Sequence, residues 1–168
     1  PPNITKIGAR AFDGCTQLVS IKIPPSVSEI GEYVFYNCLA LKEFEVPRVS
    51  TISSHTFYGC SALRSVIIPD TVIVVEEYAF GGCTLLESLV LPDSITRLEA
   101  VVFNGCTNLK SVVLPSKLET NSEGLFSECT SLTTVTLSTS VRTIEERAFQ
   151  LCRSLRTITL PSVVKIGQ

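Results

Sequence analysis

Residues 69–91 read PDTVIVVEEYAFGGCTLLESLVL, and variants of this unit fill the whole chain. A cysteine recurs at spacings of 22 or 23 residues, with a phenylalanine three positions before it and a leucine three positions after it. The cysteines are Cys15, Cys38, Cys60, Cys83, Cys106, Cys129 and Cys152. A fixed period of this length is typical of a solenoid, in which each repeat forms one coil that stacks on the next. The sequence therefore predicts one stacked coil for each of the 7 cysteines.

Each repeat divides into two halves with different patterns. The second half, from Leu86 to Leu91, alternates apolar and polar residues at its end, which predicts a short strand with one face buried. A proline such as Pro92 then ends the strand because it has no N–H to donate. The first half spaces its apolar residues three to five apart and closes on Gly or Asn before the cysteine. This half predicts a helical or 3₁₀ turn that ends in a residue tolerant of positive φ.

Composition limits the classes of partner and the domain organisation. Lys plus Arg number 14 and Asp plus Glu 16, so the basic excess typical of nucleic-acid binding is missing, and we predict no nucleic-acid partner. No apolar run approaches the roughly 20 residues of a spanning helix, so we predict no membrane insertion in this segment. The chain has no Met, and the KIG of residues 6–8 returns at residues 165–167. We expect residues 1–168 to form a single solenoid domain that is truncated at both ends.

The repeat resembles the BspA type of leucine-rich repeat. The best matches are IGARAFDGC at residues 7–15 and IGEYVFYNC at residues 30–38. The resemblance implies a leucine-rich repeat solenoid, a curved right-handed coil with a parallel β-sheet on its concave face and short helical or irregular convex arcs. It also implies a cell-surface or secreted location, with an intracellular assembly as the alternative. The sixth repeat departs most from the pattern, with Asn121, Glu128 and Ser138 in unusual columns, so we expect that coil to be looser.

The cysteines and the only histidine are the first candidates for chemistry. Cysteines 22 or more residues apart do not have zinc-site spacing. Equivalent residues on adjacent coils lie about 4.8 Å apart, whereas bridged Cβ atoms lie about 3.8 Å apart. Buried free thiols packed beside the phenylalanines are therefore expected. His55 occupies a column of varied residues and is expected to be an exposed, ordinary histidine. We predict no catalytic residue, no metal and no cofactor, and hence no enzyme.

A protein partner would bind the strand residues that point away from the core. On repeats three to five these residues form an apolar stripe with a charged row to one side, and the predicted concave site comprises Arg64, Ile67, Glu87, Val90, Lys110 and Val113. An apolar centre with a polar rim is common in protein interfaces. The alternative is that β-branched residues simply suit strands. A second candidate lies on the convex side, where one column is aromatic in three consecutive repeats: Tyr33, His55 and Tyr78.

Two functions follow from this pattern. The first is a non-catalytic protein–protein interaction module that binds through its concave sheet, with cell-surface adhesion as its setting. The alternative is a structural scaffold subunit of a larger multiprotein assembly. Glycan binding would favour aromatic residues on the concave face, and the only aromatic residue in these strands, Phe44, is predicted to point inward.

Overall fold

The structure, a computed structural model, describes residues 3–160 and 165–167 and is a parallel β-solenoid. Its short strands all run parallel to their neighbours. In chain order they are β1 (Lys6–Ile7), β2 (Glu29–Ile30), β3 (Glu43–Glu45), β4 (Thr51–Ile52), β5 (Ser65–Ile67), β6 (Val74–Val75), β7 (Arg97–Leu98), β8 (Ser111–Val113), β9 (Thr120–Asn121), β10 (Thr134–Thr136), β11 (Thr143–Ile144), β12 (Thr157–Thr159) and β13 (Lys165–Ile166). The three-residue strands form the concave face and the two-residue strands lie in the outer arcs.

The concave strands confirm the strand prediction. In each of them the middle residue points into the solenoid and its two neighbours are exposed. Their register advances by one repeat per coil, so that Phe44 pairs with Val66 and Val112 with Val135. Phe44 is 4% exposed, and its ring contacts Phe35 and Phe57 at centroid distances of 4.9 Å, as its predicted inward orientation requires. Alternation along a strand thus separates a buried column from two exposed ones.

The outer arcs are built from consecutive turns and short strands, and among residues 3–160 and 165–167 there is no helix. Of the two forms predicted for the arcs, short helical or irregular, the irregular one is therefore what the structure shows. Alternate N–H groups bond in different directions: that of Phe12 donates to Val34 on the next coil, whereas that of Asp13 donates to Arg10 within the arc. In an α-helix every N–H would bond within the arc. In these turns, about every second backbone N–H instead donates to a carbonyl oxygen of the neighbouring coil.

Left-handed residues make this alternation possible. The residue before each cysteine has positive φ, as predicted, and these residues are Gly14, Asn37, Gly59, Gly82, Gly105, Glu128 and Leu151. A second column also has φ between 53° and 60° in every coil, and it comprises Arg10, Tyr33, His55, Tyr78, Val101, Gly124 and Arg147. Only one of these seven is glycine, so most coils hold a side chain in a conformation that costs about 1–3 kcal/mol. Stacking of the coils fixes that backbone. In the first six members of this column, from Arg10 to Gly124, the backbone N–H donates to a carbonyl oxygen of the following coil.

The core contains a continuous phenylalanine ladder. Rings on adjacent coils stack with centroid distances of 5.4 to 5.8 Å and interplanar angles of 3° to 13°. Its members are Phe12, Phe35, Phe57, Phe80, Phe103, Phe126 and Phe149. The five central rings are at most 1% exposed. Offset stacking of this kind adds about 0.5–1.5 kcal/mol per pair beyond the area buried.

The cysteines form a second ladder beside the phenylalanines. Each thiol from Cys38 onward donates to the carbonyl oxygen of the phenylalanine in the preceding coil, at 3.0 to 3.2 Å. All seven are free, five of them buried and the terminal pair, Cys15 and Cys152, partly buried. Burial raises the pKa of Cys38 to about 11 and that of Cys106 to about 12. The Cys38 and Cys106 thiols are therefore protonated at neutral pH and available as donors, and they are poor nucleophiles.

The outer-arc sheets are interrupted at two places where the repeat is irregular. In the outer arcs, β2 does not pair with β4 and β7 does not pair with β9. At each break a serine hydroxyl donates to the preceding coil, from Ser53 to the Ile30 carbonyl and from Ser122 to the Leu98 carbonyl. The first break coincides with the 22-residue spacing. At the second, Asn121 is fully buried, and neither its Oδ1 nor its Nδ2 has a hydrogen-bond partner within the part of the chain that the structure describes. The looseness expected of the sixth coil stays a prediction.

Candidate interaction surfaces

The predicted apolar stripe lies on the exposed side of the concave sheet. Ile67, Val90 and Val113 are 62%, 83% and 65% exposed. They occupy successive coils of one row, since Ile67 pairs with Glu45 on one side and Val113 with Thr136 on the other. The row is therefore apolar in coils three to five and polar at both ends. Three neighbouring apolar side chains left in water are available for burial by a partner, at about 1.5–3 kcal/mol for each one fully buried.

The charged members of the predicted concave site form a second row. The structure brings Glu87 and Lys110 together in an ion pair of 2.7 Å, in which both side chains are more than half exposed. The hydrogen bond from Lys110, and then its charge, hold the pKa of Glu87 below its ordinary value, with a smaller contribution from Arg64. An exposed pair of this kind contributes little to stability.

The main chain is also irregular beneath the stripe. Ser88 forms an isolated bridge to Ser111 on the following coil, but no strand pairing joins residues 87–91 to β5 within the part of the chain that the structure describes. The concave sheet is therefore divided between Ile67 and Val90. This division coincides with the most exposed apolar residue of the stripe, Val90. Sequence periodicity gave no sign of it, because the fourth repeat fits the pattern well.

The convex candidates also lie together. The ring of His55 stacks on Tyr33 with a centroid distance of 4.5 Å, and its other side contacts Tyr78 at 5.0 Å. The prediction of an exposed, ordinary His55 is wrong, because the side chain is half-buried between the tyrosines. Its Nδ1 is buried and has no hydrogen-bond partner among the described residues. Desolvation lowers its pKa below the ordinary 6.5, although the nearby carboxylates of Glu77 and Glu32 oppose the shift.

Two further tyrosines complete this surface and were missed by the sequence analysis. Tyr36 stacks on Tyr58 at 5.2 Å, and Tyr58 meets Tyr78 edge-on at 5.7 Å. All 4 tyrosines of the chain and its 1 histidine thus lie in one cluster on coils two to four. We call it the tyrosine–histidine patch, and its residues are Tyr33, Tyr36, His55, Tyr58 and Tyr78. The signal was a second aromatic column three residues after the first, which would have been found by reading every variable column.

Glycine and arginine shape the two ends of the patch. The column of Tyr36 and Tyr58 continues with Gly81, where an added Cβ would lie 2.8 Å from the Tyr58 ring. The missing side chain leaves room for Tyr58 and Tyr78 to meet. At the other end the guanidinium of Arg10 lies 4.3 Å from the centroid of the Tyr33 ring. This is cation–π geometry, and it shows that a ring of the patch accepts a guanidinium.

An open, polar depression adjoins the patch at the first break in the outer sheet. Its volume is about 360 Å³, and its lining includes the side chains of Glu29, Glu32 and Glu76 together with several hydroxyl groups. Glu76 is held in place, since its Oε2 accepts hydrogen bonds from the Ser54 N–H at 3.0 Å and from the Ser54 hydroxyl at 3.3 Å. The shorter repeat and the loss of pairing between β2 and β4 therefore produce a concave, acidic feature on the outer arcs.

Other kinds of site find little support in the described ranges. Among residues 3–160 and 165–167, no group of three or more His, Cys, Asp or Glu side chains is placed to hold a metal ion. The described part of the chain contains no helix that is long and apolar enough to cross a membrane.

Comparison with known proteins agrees with the repeat pattern. The family model described as "BspA type Leucine rich repeat region" matches residues 1–69 and 50–168, in 6 copies. The chain is 35% identical to a leucine-rich repeat protein from Bacteroides ovatus, with a TM-score of 0.94, over 98% of this chain and 43% of that one. It is 25% identical to a leucine-rich repeat protein of T. pallidum, with a TM-score of 0.70, over 98% of this chain and 67% of that one.

A third solved structure, a leucine-rich repeat protein from Eubacterium ventriosum, is 22% identical with a TM-score of 0.71 and shares the fold. The alignment covers 94% of this chain and 49% of that one. The chain thus spans less than half the length of the Bacteroides ovatus and Eubacterium ventriosum proteins. No curated protein matches the chain significantly.

Proposed function

The chain belongs to the BspA-type leucine-rich repeat family, and from that premise we propose that it is a non-catalytic module that binds a protein partner through its concave sheet. The observation that carries the proposal is the apolar stripe of Ile67, Val90 and Val113, at 62%, 83% and 65% exposure. A strand position can favour a β-branched residue without any partner. The same row, however, holds Glu45 and Thr136 on either side, so strand preference alone does not require apolar residues in the centre.

The surroundings of the stripe support binding of a protein. A row of hydroxyl groups, Ser65, Ser88 and Ser111, runs beside it and is exposed. Beyond the serines lies the charged row that contains the ion pair of Glu87 with Lys110. An apolar centre flanked by hydrogen-bonding and then charged groups matches the core and rim of protein interfaces. In this proposal Arg64, Glu87 and Lys110 select the orientation and charge of the partner, and the stripe supplies most of the affinity.

The test replaces the stripe and compares it with a control on the same row. Proteins retained from the native source by the immobilised chain are identified, and their Kd for the chain is measured. We expect the triple variant Ile67→Asp, Val90→Asp, Val113→Asp to weaken binding by at least about 100-fold, since buried anchors contribute 2 kcal/mol or more each. The control Thr136→Asp, Thr159→Asp adds charge to the same row outside the stripe and should change Kd by less than about threefold.

Two results would contradict the proposal. One is an unchanged Kd for the triple variant when circular dichroism shows that it is folded. The other is a native particle in which the chain is a permanent, stoichiometric subunit that survives the triple substitution. That second result would favour the structural scaffold, because shape and coil stacking would then hold the assembly. Sizing the native particle distinguishes it from an exchangeable module.

A further inference from the structure

The tyrosine–histidine patch and the acidic depression form one continuous surface on the outer arcs of coils two to four. Glu32 lines the depression and directly precedes Tyr33 in the chain, and Glu76 lies two residues before Tyr78. The patch offers a broad aromatic area, and the depression offers a concave space of about 360 Å³ beside it. The size falls within the range of binding clefts, about 300–1,000 Å³. This surface is separate from the concave stripe, which lies on the other sheet.

The charge of this surface differs from that of the later coils. On coils five to seven several outer-arc carboxylates contact arginines, as in Glu99 with Arg97 at 3.5 Å and Glu146 with Arg147 at 3.0 Å. Glu145 forms no ion pair among the described residues. Around the patch, Glu29 pairs with Lys6 and Asp13 with Arg10. Three other carboxylates there form no ion pair among the described residues, and these are Glu32, Glu76 and Glu77. The two regions are built on the same columns of the repeat. Three carboxylates without an ion-pair partner among the described residues thus lie beside the aromatic rings.

Part of this surface is already organised to receive a cation. The Glu76 carboxylate is fixed by the N–H and hydroxyl of Ser54, so a partner would not have to order it. Arg10 already places its guanidinium over the Tyr33 ring, at 4.3 Å from the centroid. A planar guanidinium bonds a carboxylate through two parallel N–H groups and also packs against aromatic rings. An ammonium group lacks the planar fork, so arginine fits this combination better than lysine does.

We propose that the outer surface of coils two to four binds a basic, arginine-containing segment of a partner protein. Its guanidinium groups pair with Glu32 and Glu76 in the depression and with Glu77 at its border, and its aliphatic side-chain segments lie on the tyrosine rings. Charge complementarity and the arginine–tyrosine contact within the chain itself support this occupant. The solenoid then has two faces for protein partners. The concave face binds apolar side chains, and the convex face binds positively charged ones.

The test uses a fluorescein-labelled peptide in which three arginines alternate with glycine, and a matched peptide in which citrulline replaces arginine. Citrulline has nearly the same shape without the charge. Fluorescence anisotropy with the intact chain should show saturable binding of the arginine peptide, weakened by salt, and binding of the citrulline peptide at least about tenfold weaker. The double variant Glu76→Gln, Glu77→Gln should weaken binding of the arginine peptide by about tenfold or more.

The chain supplies a matched control for general electrostatic attraction. Glu145 and Glu146 occupy the same columns as Glu76 and Glu77 but lie on the seventh coil, away from the patch. The variant Glu145→Gln, Glu146→Gln changes net charge equally and should alter the affinity by less than about twofold. The proposal is overturned by equal weakening in the two double variants, by equal binding of the citrulline peptide, or by no binding of the arginine peptide. None of these results bears on the concave stripe.

Discussion

Coils two to four contain two aromatic ladders, and they differ in extent, burial and the residues allowed. The phenylalanine ladder continues through all seven coils with centroid spacings of 5.4 to 5.8 Å, and its central rings are at most 1% exposed. The tyrosine–histidine patch spans three coils and its side chains are half-buried. Outside those coils its first column holds arginine, valine or glycine. One ladder is therefore required for stacking, and the other is a local choice on a backbone that accepts many residues.

The first prediction contrasts one member of each ladder in the same coil. Replacing Phe80 with Ala should cost about 3–5 kcal/mol of unfolding free energy, since it leaves a cavity in the core. Replacing Tyr78 with Ala should cost about 1 kcal/mol, because mainly aromatic contacts at the surface are lost. Urea denaturation measures both. Similar losses for the two variants would show that the patch carries as much of the fold as the phenylalanine ladder does.

The second prediction concerns a polar residue in a column that the core requires to be apolar. Asn121 is 0% exposed with unsatisfied Oδ1 and Nδ2, whereas equivalent positions hold Ile, Leu or Val. Asn121→Val should stabilise the chain by about 1–3 kcal/mol, since two unsatisfied groups are removed. The control Asn108→Val, at a partly exposed site, should change stability by less than about 0.5 kcal/mol. A loss of stability in Asn121→Val would point to a hydrogen-bonding role for this amide.

The third prediction disturbs the patch without touching the phenylalanine ladder. A Cβ at Gly81 would lie 2.8 Å from Cδ2 of Tyr58 and 3.1 Å from Cδ1 of Tyr78, so both rings must move. Gly81→Ala should cost about 1–3 kcal/mol through overpacking. It should also change the near-ultraviolet circular dichroism, which reports tyrosine cleanly because the chain has no Trp. Gly8→Ala is the control, since nothing lies within 4 Å of the added Cβ, and an equal effect there would contradict the argument.

The smallest expected effect is a pH dependence of the unfolding free energy that arises from His55, the single histidine of the chain. The pKa of His55 is lowered by desolvation, so its stabilising contribution is present above its ordinary pKa of 6.5 and is lost as pH falls through the lowered value. The carboxylates of Glu77 and Glu32 reduce the shift and Arg10 adds to it. Below pH 6.5 the unfolding free energy should fall by under about 1 kcal/mol relative to His55→Phe. Histidine proton resonances followed by NMR against pH would reveal an unshifted or raised pKa, which would contradict this assignment.

The columns with one residue type were enough to predict the stacking but not the path of the chain between strands. Cysteine, phenylalanine and leucine at fixed spacing predicted the coil, the concave strands and the inward Phe44, because burial restricts those positions to one face. For the outer arcs the sequence left helical, 3₁₀ and irregular forms open, and the structure shows irregular, consecutive turns. The second left-handed column was invisible, since Arg10, Tyr33 and Val101 are not residues that mark positive φ.

The tyrosine–histidine patch was predictable only in part, because the sequence was read one column at a time. Reading one column down the repeats found Tyr33, His55 and Tyr78, and the structure places them in a stack. Tyr36 and Tyr58 were missed because they belong to a different column, which joins the first only when the arc turns back on itself. The sequence analysis also treated His55 as exposed, since a column that varies is usually at the surface. Contacts between neighbouring columns half-bury it.

The sequence by itself determined the period, the family and the apolar columns. The reason is that a repeat with apolar residues at fixed positions buries all of them only when its coils stack on one another. Only the tertiary structure decided what the variable residues do. It joined the two aromatic columns into one patch, opened the depression where β2 and β4 do not pair, and left Glu32, Glu76 and Glu77 without an ion pair among the described residues. The physical reason is that these properties depend on distances between coils, and residues 23 positions apart become neighbours only after stacking.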